Sequence, residues 1–317
     1  MRIVTSAHTL PNRVVPNQEL SAYMETNDEW IRDRVGIEKR HVAVSERNSD
    51  LAVAVGKQLL AKANRRADEL DFVIVATMSA DYSTPGVANI VQGRLGAHNA
   101  AAFDLGAACA GFVYALDVAA GLLSSPNAKC GLVIGSEVLS RLIDWHDRRT
   151  AVLFGDGAGG VLVERDDQQV HSRLRSAGAG AMKLTAGGTP DLSPFSRAEK
   201  LPPQFTMAGR AVYNFATNSV PEEVRATLEA AALTTADIDL FLFHQANGRI
   251  LSELAERLDV PTARVPSNID HCANTSAASI PILLSELVDS GRVQRGQKLL
   301  LCGFGGGLNI ANMIIDY

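Results

Sequence analysis

The chain has 317 residues, with 46% apolar and 21% charged side chains, a formal net charge of -5 and an isoelectric point near 5.8. This is an ordinary globular composition, and the length allows two packed halves or one large α/β domain. The acidic balance argues against a general affinity for nucleic acid or for an anionic membrane, because either would require a basic excess.

The first residues, MRIVTSAHTLPNRVVP, contain no apolar stretch long enough for a signal peptide, and charged residues interrupt every long apolar run. We therefore expect a cytoplasmic protein that does not enter a membrane. Its four cysteines form no CxxC pair and show no spacing typical of metal ligands. This usage suits a reducing compartment and predicts neither a disulfide nor a metal site; the cysteines are Cys109, Cys130, Cys272 and Cys302.

Two pairs of short apolar runs predict buried strands at a constant spacing along the chain. Corresponding residues of each pair are 168 positions apart; the pairs are DFVIVAT (71–77) with DLFLFHQ (239–245), and GLVIGSE (131–137) with KLLLCGFG (298–305). Such a spacing indicates an internal duplication, with two βαβ-rich halves over 1–165 and 166–317. Residues 186–205, rich in Gly, Pro and Ser, predict a surface loop.

Each predicted half also contains a segment of small residues that leads into an apolar helix. One segment begins at Cys109 and the other at Asn274, 165 residues further on. If a pseudo-twofold axis relates the halves, these two residues occupy matching positions at the start of two central helices and face one cleft.

Cys109, His244 and Asn274 are candidates for chemistry in that cleft. A thiol at a helix N-terminus feels the macrodipole, which predicts a pKa below the ordinary value of about 8.5 and a competent nucleophile. His244 ends a buried strand, where a polar turn directs side chains into a cleft. Each residue alone also fits a structural role: Cys109 as a buried thiol, His244 as a core histidine and Asn274 as a helix N-cap.

Seven motifs in chain order resemble the β-ketoacyl-acyl carrier protein synthase III family, the thiolase-fold condensing enzymes that start fatty acid synthesis. They are TNDEWIRDRVGIEKRH, AACAGFVYAL, DRRTAVLFGDGAGG, TMAGRAVY, HQANGRI, NTSAAS and GFGGG, and they span nearly the whole chain. The resemblance implies a thiolase-like αβαβα layered fold made of two duplicated halves.

The resemblance also implies a reaction. Cys109 would accept an acyl group from acyl-CoA, and His244 and Asn274 would stabilise the enolate formed when malonyl-acyl carrier protein loses carbon dioxide. Backbone N–H groups of Cys109 and Gly306 would form an oxyanion hole. Coenzyme A thioesters are then substrates, and no metal or organic cofactor is expected.

Further residues resemble the family's binding groups, and the family's homodimer is expected here too. Trp30, Arg34 and Arg148 would hold the adenine of coenzyme A, and the pantetheine channel would be lined by Gly209, Ala246 and Asn247. Arg249 and Arg257 would dock an acidic carrier protein, although Asn214 and Glu256 stand where lysines are expected.

Thr84 replaces a Phe that reaches the partner's acyl pocket in many relatives, which predicts room for a longer or branched primer. Cys272 and Ala273 also depart from the family pattern just before Asn274.

Other interpretations of the sequence are weaker. A GxGxxG pattern at Gly155, Gly157 and Gly160 suggests a dinucleotide site, but the next residues, VLVER, predict a strand rather than the required helix. A degradative thiolase would need a second catalytic Cys close to a terminal Gly-rich turn. Gly303 and Phe304 separate Cys302 from the GGG triplet, and this sequence spacing is wrong for that role. A related enzyme of specialised metabolism with a different acyl acceptor remains open, whereas an inactive subunit is disfavoured because all three catalytic candidates are present.

Overall fold

The computed structural model describes residues 1–317 as thirteen β-strands and nine α-helices. The strands are β1 (Arg2–Thr9), β2 (Arg13–Pro16), β3 (Lys39–Val42), β4 (Phe72–Ala76), β5 (Ala101–Leu105), β6 (Cys130–Glu137), β7 (Gly157–Glu164), β8 (His171–Ser176), β9 (Leu184–Thr185), β10 (Thr206–Met207), β11 (Leu240–Phe243), β12 (Lys298–Gly305) and β13 (Asn309–Asp316). The helices are α1 (Asn17–Leu20), α2 (Asp28–Val35), α3 (Asn48–Ala63), α4 (Val87–Leu95), α5 (Gly111–Ser124), α6 (Gly209–Ala230), α7 (Gly248–Arg257), α8 (Ile269–Cys272) and α9 (Ser279–Asp289).

Two large sheets share one topology. The first has the order β1-β7-β6-β4-β5 and the second β8-β13-β12-β11, so each strand of the second sheet has a counterpart in the first. The pairings also agree in direction: β6 with β4 and β12 with β11 are parallel, and the remaining matched pairs are antiparallel. β4 and β11, β6 and β12, and α5 and α9 each begin 168 residues apart. The predicted duplicated α/β fold is therefore confirmed.

The predicted match between Cys109 and Asn274 is wrong by three residues. Short 3-10 turns, Ala108–Ala110 and Ser276–Ala278, precede α5 and α9 at the same spacing of 168, so the counterpart of Cys109 is Ala277. The first residues of both turns have left-handed backbone, with φ of 46° at Ala108 and 48° at Ser276. Asn274 lies before its turn, where it forms a β-bridge with Phe154. The small-residue composition of both segments concealed this shift.

The elements stack in five layers with the helices α5 and α9 in the middle. Helices α3 and α4 pack on the first sheet, α5 and α9 lie between the two sheets, and α6 and α7 pack on the second. β6 is buried along its entire length, as expected for a central strand covered on both faces. The central core joins apolar side chains of both sheets and both middle helices, among them Ile74, Leu116, Leu242, Leu283 and Leu301.

The glycine-rich pattern that suggested a nucleotide site lies at the start of β7, so the predicted strand is confirmed. A Cβ at Gly159 would lie 2.5 Å from the backbone nitrogen of Ile282, which is in α9. The glycine therefore serves close packing of the middle layer. None of the helices combines the length and apolar character that a membrane crossing requires.

The predicted loop over 186–205 is confirmed, because no helix or strand occurs between β9 and β10. Its apolar side chains Leu192 and Phe195 are exposed, whereas Phe205 at its end is buried.

Candidate active site

A pocket of about 350 Å³ contains all three catalytic candidates. Cys109, His244 and Asn274 line it together with Phe304 and Gly305, and the remaining walls are mostly apolar. Its volume lies in the range of small-molecule sites. The apolar lining comes from Val35, Leu153, Phe154, Leu184, Phe205, Met207, Tyr213 and Ile250 among others.

Cys109 lies in the 3-10 turn before α5 and is 6% exposed. The turn packs directly against the end of β12, where a Cβ at Gly305 would lie 3.0 Å from the Cys109 sulfur and 2.8 Å from its Cβ. Only a residue without a side chain fits there. The backbone N–H groups of Cys109 and Gly306 act on the thiol, since both lower its pKa.

The expected low pKa of Cys109 is not observed. Burial raises the pKa of this thiol to about 12, and it outweighs the Ser276 hydroxyl and the two N–H groups, which favour the thiolate. The negative charge of Glu137 adds to the rise. Desolvation exceeds the helix-terminus effect because a charged sulfur loses water on almost every side. Cys109 is therefore a neutral thiol, and any nucleophilic attack by its sulfur would require a proton acceptor.

His244 lines the same pocket as Cys109. Its backbone N–H donates to the Cys302 carbonyl at 2.8 Å, which extends the pairing of β11 and β12 by one residue, and the side chain is almost fully buried. Burial lowers the pKa of His244 to about 3, so the imidazole is neutral at physiological pH. The Phe304 ring meets the imidazole edge to face, with 5.4 Å between ring centroids.

Ser279 determines which nitrogen of His244 carries the proton. Its hydroxyl donates to the Ser276 carbonyl at 2.9 Å and lies 2.7 Å from Nδ1 of His244. Because a carbonyl only accepts, the hydroxyl proton is committed there, and Nδ1 must carry hydrogen to bond to Ser279. Nε2 then holds a lone pair. Rotation of the same hydroxyl toward Nδ1 would permit the other tautomer, with Nε2 as a donor.

Replacing Ser279 by Ala is expected to lower the condensation rate about 10-fold, because one neutral hydrogen bond that orients the imidazole is lost. Ser279→Thr keeps a hydroxyl and should recover part of the rate. The measurement is steady-state turnover together with the rate of a single acylation. An alanine variant with wild-type turnover would show that Ser279 does not control the imidazole.

Asn274 is fixed through its backbone and its side-chain oxygen. Its N–H donates to the Leu153 carbonyl and its carbonyl accepts from Gly155, both at 3.0 Å. Oδ1 accepts from the backbone N–H of Ser276 at 2.9 Å, whereas Nδ2 has only a long contact of 3.4 Å with the Ala246 carbonyl. The amide group is thus oriented while its donor remains available to a ligand.

Two guanidinium groups lie close to the Trp30 ring, which lines the pocket. The Arg34 and Arg148 guanidinium carbons lie 5.9 and 5.2 Å from the Trp30 ring centroid. Trp30 and Arg34 line the pocket, and Arg148 stands outside the lining and donates to the Glu25 carbonyl at 3.1 Å. A flat aromatic base could stack in this arrangement. The residues predicted for the pantetheine channel, Gly209, Ala246 and Asn247, all line the pocket.

The residues predicted for carrier docking and for the acyl pocket lie in three separate places. Arg249 lines the pocket and donates to the Asp33 carbonyl, whereas Arg257 lies at the other end of α7 and pairs with Glu253 at 2.6 Å. Thr84 is exposed and does not line the pocket of its own chain. Any contact of Thr84 with an acyl group therefore requires a second chain.

Glu137 is an important residue that sequence reasoning missed. It is fully buried at the end of β6 and accepts hydrogen bonds from Thr77, Met78 and Ser79. Burial raises its pKa to about 7. The only sequence signal was an acidic residue closing the apolar run GLVIGSE. The sequence analysis also missed two serines of the NTSAAS motif, Ser276 and Ser279. It missed Arg149 as well, which follows Arg148 in the chain and lines the pocket.

Duplicated α/β halves that enclose a single reactive thiol define a condensing enzyme of the thiolase fold. Cys302, the candidate second cysteine of a degradative thiolase, is completely buried in β12 and does not reach the pocket. Residues 103–181 match the family described as 3-oxoacyl-[acyl-carrier-protein] synthase III, and residues 228–317 match its C-terminal counterpart.

Similar proteins agree with this match. A β-ketoacyl-[acyl-carrier-protein] synthase III of Lactobacillus delbrueckii subsp. bulgaricus is 52% identical over 99% of this chain and 98% of its own. The crystal structure of the Aquifex aeolicus 3-oxoacyl-[acyl-carrier-protein] synthase III superposes with a TM-score of 0.93, at 39% identity over 99% of both chains. The priming β-ketosynthase of the R1128 polyketide pathway gives 0.92 at 35% identity, over 99% of this chain and 95% of its own. The chain belongs to the β-ketoacyl-[acyl-carrier-protein] synthase III family.

Proposed function

We propose that the protein condenses an acyl-CoA primer with malonyl-acyl carrier protein and so begins fatty acid synthesis. The observation that carries the proposal is the single pocket that joins Cys109, neutral His244 and the free amide donor of Asn274. The cycle needs coenzyme A thioesters and no metal or organic cofactor. Its free thiol favours a reducing compartment such as the cytoplasm.

In the first half-reaction the sulfur of Cys109 attacks the thioester carbonyl of acyl-CoA. The thiol proton passes to Nε2 of His244, and the N–H groups of Cys109 and Gly306 hold the oxyanion. When the tetrahedral intermediate collapses, the carbon to coenzyme A bond breaks and the departing thiolate takes the proton from His244. An acyl thioester on Cys109 and free coenzyme A result.

In the second half-reaction the malonyl thioester carbonyl accepts hydrogen bonds from His244 and Asn274. Loss of carbon dioxide leaves an enolate whose oxygen these donors stabilise. The enolate carbon attacks the acyl carbonyl, the bond to the sulfur of Cys109 breaks, and the released thiolate takes one proton from solvent. To act as a donor here, the neutral imidazole releases its Nδ1 proton to solvent and takes one up at Nε2, and the Ser279 hydroxyl rotates to donate to Nδ1.

Loading of acyl groups onto Cys109 tests the proposal. After incubation with a series of acyl-CoAs, intact mass should show one acyl group on the wild-type chain and a rate at least about 10²-fold lower for Cys109→Ser. Addition of malonyl-acyl carrier protein should then discharge the acyl enzyme. Equal loading of Cys109→Ser would refute the nucleophile, and discharge only by another acceptor would support the alternative role in specialised metabolism.

We also propose a homodimer formed through β5. This strand is at the end of its sheet, so one side of its backbone has no partner strand, and Phe103 on it is 36% exposed. A second copy could satisfy that edge. Thr84, in the segment between β4 and α4, would then be available to the partner's acyl pocket, and its small size favours a long or branched primer. Sedimentation at the mass of one chain would contradict the dimer.

For the carrier protein we propose docking near Arg249. Its guanidinium bonds to a neutral carbonyl, so its charge is uncompensated, whereas Glu253 neutralises Arg257. The resulting weak positive patch predicts slow association with an acidic carrier and little dependence on salt. Arg249→Ala should reduce carrier-dependent discharge more than Arg257→Ala; equal effects would argue against this assignment.

A further inference from the structure

The cluster His271, Cys272 and Glu286 lies outside the pocket and has no part in the condensation chemistry. Its donor atoms, a ring nitrogen, a sulfur and a carboxylate oxygen, all lie within 4.8 Å of one another. Nε2 of His271 is 3.1 Å from Oε1 of Glu286, and Sγ of Cys272 is 3.7 Å from the same oxygen. We infer that these three residues bind one thiophilic divalent metal ion of the Zn²⁺ type.

The separations fit tetrahedral coordination. With metal distances of about 2.0 Å to nitrogen and oxygen and about 2.3 Å to sulfur, a tetrahedron places N and O about 3.3 Å apart and S and O about 3.5 Å apart. The observed separations of 3.1 and 3.7 Å differ from these by only small side-chain movements. A thiolate, an imidazole and a carboxylate form a ligand set that Zn²⁺ and Co²⁺ accept.

The neighbouring residues orient the ligands as in metal centres. Nδ1 of His271 lies 3.0 Å from Oδ1 of Asp270, which holds the ring with Nε2 toward the cluster. Nδ2 of Asn268 donates to Oε2 of Glu286 at 2.8 Å and leaves Oε1 facing the other two ligands. Carboxylate partners of this kind raise the affinity of a histidine for metal.

Solvent can reach the cluster from one side. The side chains of His271 and Glu286 are 36% and 25% exposed, whereas Cys272 is buried. An ion could therefore enter and keep water as its fourth ligand. No metal-ligand spacing is recognisable in the sequence, because two ligands are adjacent and the third follows fourteen residues later. Cys272 belongs to the pair that departs from the family pattern.

A bound ion would connect two segments that hold the catalytic residues. Cys272 ends α8 two residues before Asn274, and Glu286 lies on α9, whose first residue Ser279 contacts His244. The ion would tie α8 to α9 and so restrain both catalytic partners. Binding to the folded chain alone also raises its stability.

Titration with Co²⁺ tests the site in the Cys109→Ala background, which removes the thiol of the pocket. We expect thiolate-to-cobalt charge-transfer absorption in Cys109→Ala, its loss in Cys109→Ala/Cys272→Ser, and its retention in the matched control Cys109→Ala/Cys130→Ser. Asp270→Asn in the Cys109→Ala background should weaken binding about 10- to 100-fold.

Absence of the absorption in Cys109→Ala, or its persistence without Cys272, would overturn the inference. Circular dichroism checks folding of each variant, and Glu286→Gln in the same background should also weaken binding if the serine variant is unstable. The measurement is spectroscopic and is independent of the proposed condensation.

Discussion

Replacing Asn274 by Ala is expected to leave acyl transfer to Cys109 close to the wild-type rate and to lower condensation about 10²- to 10³-fold. The reason is that, in the proposed cycle, the Asn274 amide donor bonds to the malonyl thioester carbonyl and takes no part in acyl transfer. His244→Ala should slow both steps, and acylation by about 10²-fold or more, because the buried Cys109 thiol needs a proton acceptor. Intact mass follows acylation, and release of carbon dioxide follows condensation.

Asn274→Asp is the matched control for this prediction. It keeps the oxygen that accepts from the Ser276 N–H but removes the amide donor. Condensation should therefore be slowed in both variants, whereas only Asn274→Asp retains the hydrogen bond that holds the loop in place. If Asn274→Ala also loses acylation and Asn274→Asp does not, the asparagine serves mainly to hold the loop.

The sequence was sufficient for the fold class because its strongest signals are local. Buried strands such as β4 and β11 appear as continuous apolar runs, and their constant spacing indicates the duplication directly. The motifs around Cys109, His244 and Asn274 likewise identified residues that the structure brings into one pocket. These properties depend on short segments, each of which carries its own pattern.

Properties that depend on packing between distant segments were not predictable in the same way. Desolvation within the pocket raises the pKa of Cys109, so the decrease predicted from its position at a helix N-terminus was wrong. Glu137 on β6 acts on Cys109 through its charge, and Ser279 at the start of α9 contacts His244, which follows β11. The correct counterpart of Cys109 in the second half also emerged only from the two turns before α5 and α9.

The electrostatics of the pocket favour a proton transfer that accompanies attack. A resting thiolate and imidazolium pair would place two charges in a site where burial raises the pKa of Cys109 to about 12 and lowers that of His244 to about 3. The neutral thiol and neutral imidazole are therefore the stable pair. Cys109 therefore stays a neutral thiol until acyl-CoA binds. In the proposed cycle, the N–H groups of Cys109 and Gly306 then stabilise the oxygen of its thioester carbonyl.

Gly305→Ala should be among the most damaging substitutions outside the reacting groups. Its new Cβ would lie 2.8 Å from the Cβ of Cys109 and 3.0 Å from the sulfur, so the turn carrying the nucleophile must move. Misplacing one oxyanion donor costs about 3 to 4 kcal/mol, which corresponds to a fall in the acylation rate of roughly 10²- to 10³-fold. Overpacking should also lower the free energy of unfolding by about 1 to 3 kcal/mol.

The matched control is Gly121→Ala in α5, where an added Cβ meets no atom within 4 Å. Because alanine is the better helix former, that variant should acylate normally and gain about 0.5 to 1 kcal/mol of stability. Rapid-quench acylation by acyl-CoA and thermal unfolding measure both effects. Wild-type acylation by Gly305→Ala would mean that the turn tolerates displacement, and the oxyanion hole would then have to be formed by donors other than the N–H groups of Cys109 and Gly306.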